Sequence, residues 1–474
     1  MSKIAPLSHT STRVSQQNTK GYARSVFWVM FSISFLNYLD RNVLTGAANV
    51  IAKELGFQLD GIGYIASAFL IINALFTLPL GIWADHAKRK DIIALCVAVW
   101  SIATAATALV TSFATLFISR MVLGIGEAGY FPAGTALMSD YFHRAERSRV
   151  MSWWSTAQLF GIFVGFGVGG ALAGLSPGSW RLAFLVTGIP GLFLAFLMWR
   201  VREPQRNQAD EEAHPGMAEE GGEIPGAALQ EAVPLPPMRS SLFSQLGSLL
   251  RIKTLVVLIA IQVFAFFVLG VTTTFLPTYI QQKDTFGLSS GQAGLFAGAV
   301  IAGAGTVGTV LGGYMADALN RRHPGARVLV CGIGFLLAAP ALALALTSHD
   351  LRVFTVFFII TALLLLLYHG PSTAATQDVV PSTLRASAVA ISLLIAHLLG
   401  DALAPTIVGV LATTFDPTHG LHFQKNVAGQ DLGMALLVTC TPALVAAGLI
   451  GIFGARWVKR DMLRAEHVDR AMKK

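Results

Sequence analysis

The 474-residue chain is 54% hydrophobic and only 13% charged, with a mean hydropathy of +0.62, about half the charge density of an ordinary soluble chain. That balance excludes a water-soluble globule. The net charge of +8 would suit a nucleic-acid partner, but the placement of the basic residues along the chain rejects that reading.

Apolar windows of about 20 residues, enough to cross roughly 30 Å of hydrocarbon, recur twelve times, at 24–46, 61–84, 91–112, 114–138, 150–175, 181–201, 253–281, 289–317, 327–347, 352–378, 384–414 and 432–457. Lipid leaves helices as the spanning structure, and these runs are too long and too uniform for barrel strands. The expected fold class is an all-α membrane protein of twelve transmembrane helices. Lys20 and Arg24 precede the first span, and Lys88, Arg89 and Lys90 follow the second. Arg144, Arg147 and Arg149 follow the fourth, Arg202 and Arg206 the sixth, Arg321, Arg322 and Arg327 the eighth, Arg385 the tenth, and Arg456, Lys459, Arg460 and Arg464 the twelfth. The intervening loops carry few: Lys53, Arg181, Lys283, Arg352 and Lys425. By the positive-inside rule both termini are expected in the cytoplasm, with the chain in a plasma (bacterial inner) membrane. The polar first 20 residues lead into a full-length span without a small-residue cleavage pattern, so the first span is expected to stay. Cys96, Cys331 and Cys440 fall singly in three spans and read as packing residues.

The stretch from Arg202 to Leu250 turns to Pro, Gly, Ala and Glu with almost no aromatics, the composition of a flexible linker. The expected organisation is a tail over 1–23, a six-helix bundle over 24–201, a cytoplasmic linker over 202–250, a second bundle over 251–457 and a tail over 458–474. The halves repeat. Gly81-Ile-Trp-Ala-Asp85-His-Ala-Lys-Arg89-Lys90 matches Gly313-Tyr-Met-Ala-Asp317-Ala-Leu-Asn-Arg321-Arg322 at an offset of 232, and Asp140 and Arg147 recur with the same spacing as Asp378 and Arg385. Two related bundles imply a site at their interface and alternating access. Asp85, Arg89, Asp317 and Arg321 are expected to form a latch at the cytoplasmic end.

The Gly-x-x-x-Asp-x-x-x-Arg-Arg/Lys loop in both halves resembles the signature of the major facilitator superfamily. Within it NYLDR in the first span, RMVLGIGEAGY in the fourth, WRLAF…REP at the sixth and HLLGD, His397 to Asp401, in the eleventh resemble the spinster family. The first half is also similar to the anion:cation symporter family. His86 and Lys88 depart from the signature, standing where Arg and Gly are usual.

Arg120 and Glu127 lie seven apart, within about 20° of one helix face, and Asp40 and Arg41 are neighbours pointing about 100° apart. Left facing lipid, four such charges would cost about 10 kcal/mol, so they are expected to face a shared watery cavity. Arg41 and Arg120 would make it positive, and Asp40 and Glu127 would exchange protons as it opens to one side or the other. The alternative is a structural ion-pair cluster joining the first and fourth spans. The spinster resemblance implies proton coupling at Asp40 and Glu127 and headgroup contact by Arg41 or Arg120. Tyr38, His397 and Thr273 complete the expected substrate-binding set. Thr272, Thr273, Thr274 and Tyr279 offer hydroxyls, although Thr also bonds back within its own helix, and His397 shares a face with Asp401. Gly124 to Gly129 fits G-x-G-x-x-G, but inside an apolar helix it reads as close helix packing, as do Gly161, Gly165 and Gly169.

The expected function is proton-coupled secondary transport, symport or antiport, and the spinster resemblance implies an amphiphilic lipid such as a lysophospholipid or sphingoid phosphate as its substrate. The alternative is symport of a sugar acid or other small organic anion. Phe264, Phe266, Phe267 and Val268, with Leu393 and Leu394, would suit a lipid tail if they line the cavity. No nucleophile with a base and no metal-ligand spacing is found, so neither an enzyme nor a metal or other cofactor is expected, protons being the coupling ion. A monomer among membrane lipids is expected, without nucleic acid. A non-transporting membrane sensor is the third reading, opposed by the lack of a folded soluble domain.

Overall fold

A chain whose apolar runs must satisfy every peptide group internally folds as helix, and helices supply all the regular structure of the described residues. The computed structural model describes residues 9–142, 144–204, 247, 249–381, 384–418 and 420–471. Most of the linker lies outside them. The first half comprises α1 (His9–Leu55), α2 (Leu59–His86), α3 (Arg89–Thr107), α4 (Phe113–Ala128), α5 (Tyr130–Tyr141), α6 (Arg144–Ala173) and α7 (Trp180–Arg200). The second comprises α8 (Lys253–Gln281), α9 (Ser290–Ala299), α10 (Gly305–Asn320), α11 (Ala326–Thr347), α12 (Leu351–Leu366), α13 (His369–Val379), α14 (Arg385–Ala396), α15 (Ala404–Phe415), the short α16 (Leu421–Gln424) and α17 (Gly429–Ala471). α4 and α5 form one broken crossing, as do α9 and α10, α12 and α13, and α14 and α15. π-turns at Val300–Ala304 and His397–Asp401 join two of these pairs. The helices α1 and α17 outrun the first and last spans, so part of each expected tail is helical.

Among the described residues ten helices are long and apolar enough to cross a membrane. The two further crossings, α1 and the α4–α5 pair, are the ones that carry Asp40, Arg41, Arg120 and Glu127. The polar NYLDRN stretch lowers the hydropathy of the first, and the break at Gly129 divides the second.

Helix packing sorts the crossings into two bundles, with α1 on α6 and α3 on α7 in one and α11 and α8 on α17 in the other. The contact of α1 with α6 depends on the predicted glycine stripe. A Cβ on Gly161, Gly165 or Gly169 would lie 2.4, 2.5 or 2.2 Å from the carbonyl oxygens of Phe35, Leu39 and Val43. Gly165→Ala is therefore expected to destabilise the first bundle by about 1–3 kcal/mol, read as a lower thermal unfolding midpoint in detergent. An unchanged midpoint would contradict this account of the joint.

Between the bundles, contact is concentrated at the end away from the basic loops. There a Cβ on Gly170 would come within 2.2 Å of the Ser290 carbonyl, one on Gly294 within 2.2 Å of the Phe166 carbonyl, and one on Gly409 within 2.6 Å of the Leu59 carbonyl. Ala48, Ala52, Leu59, Ile62 and Phe166 of the first half join the apolar core of the second. Every described hydrogen bond between the bundles lies at this end, through Asn49, Lys53, Asp60 and Ser67 on the first. The two bundles thus meet like a V that is open toward the basic end.

Candidate functional site

The four charges of α1 and α4 do converge, but not as one cavity lining. Arg41 Nε donates to Glu127 Oε2 at 2.5 Å, tying α1 to α4, with the Arg41 side chain 28% exposed and that of Glu127 fully buried. The guanidinium lies over the rings of Tyr38 at 5.2 Å and Phe69 at 5.0 Å. These contacts hold Arg41 with its side chain part exposed, unlike the other three charges. Tyr38 is half-buried.

Asp40 and Arg120 depart from the expected cavity positions. Both are buried within the first bundle. Asp40 Oδ2 accepts from Thr104 Oγ1 of α3 at 3.5 Å, and Arg120 donates to Thr107 Oγ1 while its guanidinium stacks over Phe184 of α7 at 5.2 Å. The neighbours point apart, as the helix requires: Arg41 turns to the opening and Asp40 to the bundle core. Asp40 Oδ1, Glu127 Oε1 and Arg120 Nε are buried and make no hydrogen bond of good geometry among the described residues, although the Thr187 hydroxyl and the Asn37 amide lie beside the two carboxylates. Unmet polar capacity of this kind is costly in a low-dielectric interior. A proton on a carboxylate, or a rearrangement that brings it a donor, would relieve it.

On the second bundle His397 stands half exposed, with Nδ1 3.0 Å from Asp401 Oδ2 and its ring edge-on to Phe266 at 4.7 Å. The π-turn that carries them is closed by the Ala402 amide donating to the His397 carbonyl at 2.9 Å. A π-turn re-aims side chains within a helix and is common at functional sites. Thr273 does not offer a free hydroxyl: it donates to Leu269 and Gly270 carbonyls at 2.8 and 3.0 Å, and Thr272 and Thr274 likewise bond back within α8. Tyr279 is core, with its hydroxyl on the Leu346 carbonyl. Val268 is fully buried and Phe266 nearly so, which removes them from any cavity wall, while Leu393 and Leu394 are exposed.

The expected latch is rearranged. Arg89 pairs with Asp140, and the side chain of Asp85 lies outside the described residues, as do those of Arg147 and Arg385. In the second bundle Asp317 pairs at 2.9 Å with Arg327, not with Arg321, and Arg327 also pairs with Asp378. Arg89–Asp140 and Arg327–Asp378 are therefore the symmetry-related pairs. Glu203 of the REP motif caps α3, accepting from the Arg89 and Lys90 amides at 2.9 and 3.0 Å. These pairs lie within single bundles at the open end and leave the gap between the bundles unbridged. Asp416, His422 and Asp431, far apart in the motif spacing that the sequence offers, converge at the closed end, with His422 Nδ1 3.4 Å from Asp416 Oδ1 and 2.8 Å from Asp431 Oδ2.

Residues 30–405 match the Major Facilitator Superfamily. Protein spinster homolog 1 of Xenopus laevis is 26% identical, over 94% of this chain and 83% of that protein. The "Probable L-galactonate transporter" of Escherichia coli (strain K12) is also 26% identical, over 88% of each chain. Among solved structures, a bacterial homologue of the human lysosomal transporter spinster, in an inward-facing and unoccupied conformation, superposes with a TM-score of 0.79 at 24% identity, covering 93% of this chain and 98% of that one. With twelve crossings in two repeated bundles around a charged interface, the chain belongs to the Major Facilitator Superfamily, as a transporter that resembles the spinster type along nearly its whole length.

Proposed function

We propose that the protein is a proton-coupled transporter of an amphiphilic lipid with a phosphate-bearing headgroup, working by alternating access, and that the open basic end faces the cytoplasm of a plasma (bacterial inner) membrane. The carrying observation is the Arg41–Glu127 pair, in which the cation is part exposed to the interface and its carboxylate partner is fully buried. A phosphate headgroup reaching Arg41 competes with Glu127 for the guanidinium. A displaced Glu127 is a buried carboxylate without a counter-charge, a state that favours taking up a proton. Headgroup and proton binding thereby support each other, which is the linkage that coupling needs.

Asp40, one residue away but turned into the bundle, serves as a second proton site poised beside Thr104. His397 and Asp401 offer a polar wall from the other bundle, and Tyr38 frames the guanidinium. The lipid part of the reading is supported by likeness to spinster proteins and by the exposed Leu393 and Leu394 near His397. A small sugar acid would engage the same Arg41, and the equal identity to the E. coli protein favours keeping that second reading. Purified protein in liposomes, given an acid gradient, is expected to move lysophosphatidylethanolamine and to leave galactonate behind. Movement of galactonate alone would replace the lipid with a sugar acid.

A further inference from the structure

The polar contacts that join the bundles at the closed end of the V include one with a titratable side chain. Lys53 lies on the last turns of α1, beyond the apolar span and level with the loops. It reaches across to the second bundle, donating through Nζ to Asn426 Oδ1 at 2.7 Å, with Nζ 5.6 Å from the Phe423 ring centre. Asn49, one turn back, donates to Gln281 Oε1 at 3.1 Å and to Asn426 Oδ1 at 3.3 Å. Asn426 completes the bridge by donating through Nδ2 to the Gln281 carbonyl at 2.9 Å, from a left-handed backbone with φ 65°. One loop side chain thus holds α1 against the end of α8.

The surrounding charges leave Lys53 unneutralised. Lys283, just past α8, opposes it, and Lys425 adjoins Asn426 in the loop. Glu54 is turned away to Arg181, to Trp180 Nε1 at 2.7 Å and to the Gly178 amide at 3.0 Å. Asp284 accepts the Gly429 and Gln430 amides at 3.0 and 2.8 Å. Asp416 accepts the Thr418 and Gly420 amides at 2.7 and 2.8 Å, and with Asp431 it flanks His422 at 3.4 and 2.8 Å. Asp60 accepts the Gly61 amide at 2.8 Å. Among the described residues no carboxylate forms an ion pair with Lys53.

We infer that Lys53, Asn49, Gln281 and Asn426 form a proton-sensitive latch on this end of the transporter, held shut when Lys53 is uncharged and released when it is charged. The inference rests on the alternating-access reading. A neutral amine keeps its hydrogen bond to Asn426 at no Coulombic cost, whereas separation of the bundles hydrates an ammonium and removes it from Lys283. In the closed arrangement burial, then the like charge of Lys283, pushes Lys53 from an ordinary 10.5 down to about 8. The opened state of this end binds the proton more tightly, so closure strengthens as pH rises from about 8 to 10.5. Below about 8 Lys53 is charged in both states and the latch is at its weakest.

Pulsed electron spin resonance on the full chain in nanodiscs reads the state directly, with labels on cysteines introduced at the exposed Leu175 and His349, one on each bundle at this end. Working in a Glu127→Gln background removes titration of that buried carboxyl. The ratio of long to short distances is expected to fall by up to about eightyfold between pH 8 and 10.5. Lys53→Gln should abolish that dependence and hold the end shut, and Lys283→Gln should move the midpoint to higher pH. A dependence that survives Lys53→Gln, or a midpoint that Lys283→Gln leaves in place, would overturn the latch while leaving alternating access standing. A single distance in every variant, at every pH and with or without lysophosphatidylethanolamine would overturn both.

Discussion

In Glu127→Gln, acid-gradient-driven uptake is expected to fall to the rate seen without a gradient, while counterflow of the same substrate at equal pH persists. The amide has nearly the volume of the carboxyl, and its oxygen still accepts from Arg41 Nε, now 2.5 Å from Glu127 Oε2. What it cannot do is take up or release a proton. The interior position also argues for a small stability effect, because an isosteric neutral partner removes a buried charge whose second oxygen makes no hydrogen bond of good geometry among the described residues. Thermal unfolding in detergent should therefore remain within a few degrees of the parent. Gradient-driven uptake at the parental rate would remove Glu127 from the coupling path and leave Asp40 as the acid to test. Loss of counterflow together with gradient-driven uptake would mean that Glu127 serves the substrate site through Arg41 and that its proton is incidental.

The helices were legible because lipid enforces them: twelve apolar windows, one interrupted by polar residues and four divided by a break, became twelve crossings. The α1–α6 joint was legible in the spacing of Gly161, Gly165 and Gly169, since a four-residue glycine repeat leaves one helix face without side chains. The wiring of the charges was less so. Helical periodicity puts Arg120 and Glu127 on one face but does not say which residue of α1 or α3 arrives opposite them. Tertiary packing gave Glu127 to Arg41 and Arg120 to Thr107 and Phe184.

Arg327 shows a readable signal left unused. The loop signature repeats at 232 positions, whereas Asp140 and Asp378 repeat at 238. The difference requires six additional residues between Arg322 and Asp378, and if they precede α11, counting 238 from Arg89 lands on Arg327, the residue that pairs with Asp378. The π-turn at His397 had no comparable mark, because a shift in backbone hydrogen-bond register changes no residue type. Lys53 and Asn426 lie 373 positions apart in two loop-end segments, and only the closed end of the folded chain brings them together.

Arg41 should separate stability from recognition more sharply than any other position. Arg41→Met strips the counter-charge from a fully buried carboxylate, and removing one member of a buried pair generally costs about 3–5 kcal/mol. A marked fall in the unfolding midpoint is expected. Adding Glu127→Gln to Arg41→Met removes the stranded charge and should recover most of that midpoint, a non-additivity that a double-mutant cycle measures directly. Transport should not recover with it, since neither variant supplies a cation to the headgroup. Arg41→Lys keeps the charge and the pair but loses the planar guanidinium that lies over Tyr38 and Phe69 and can meet two phosphate oxygens at once. Its expected signature is a raised KM for lysophosphatidylethanolamine with near-parental stability. If the double variant regains both stability and transport, Arg41 is a structural counter-ion only, and the headgroup site must be sought at His397 on the opposing bundle.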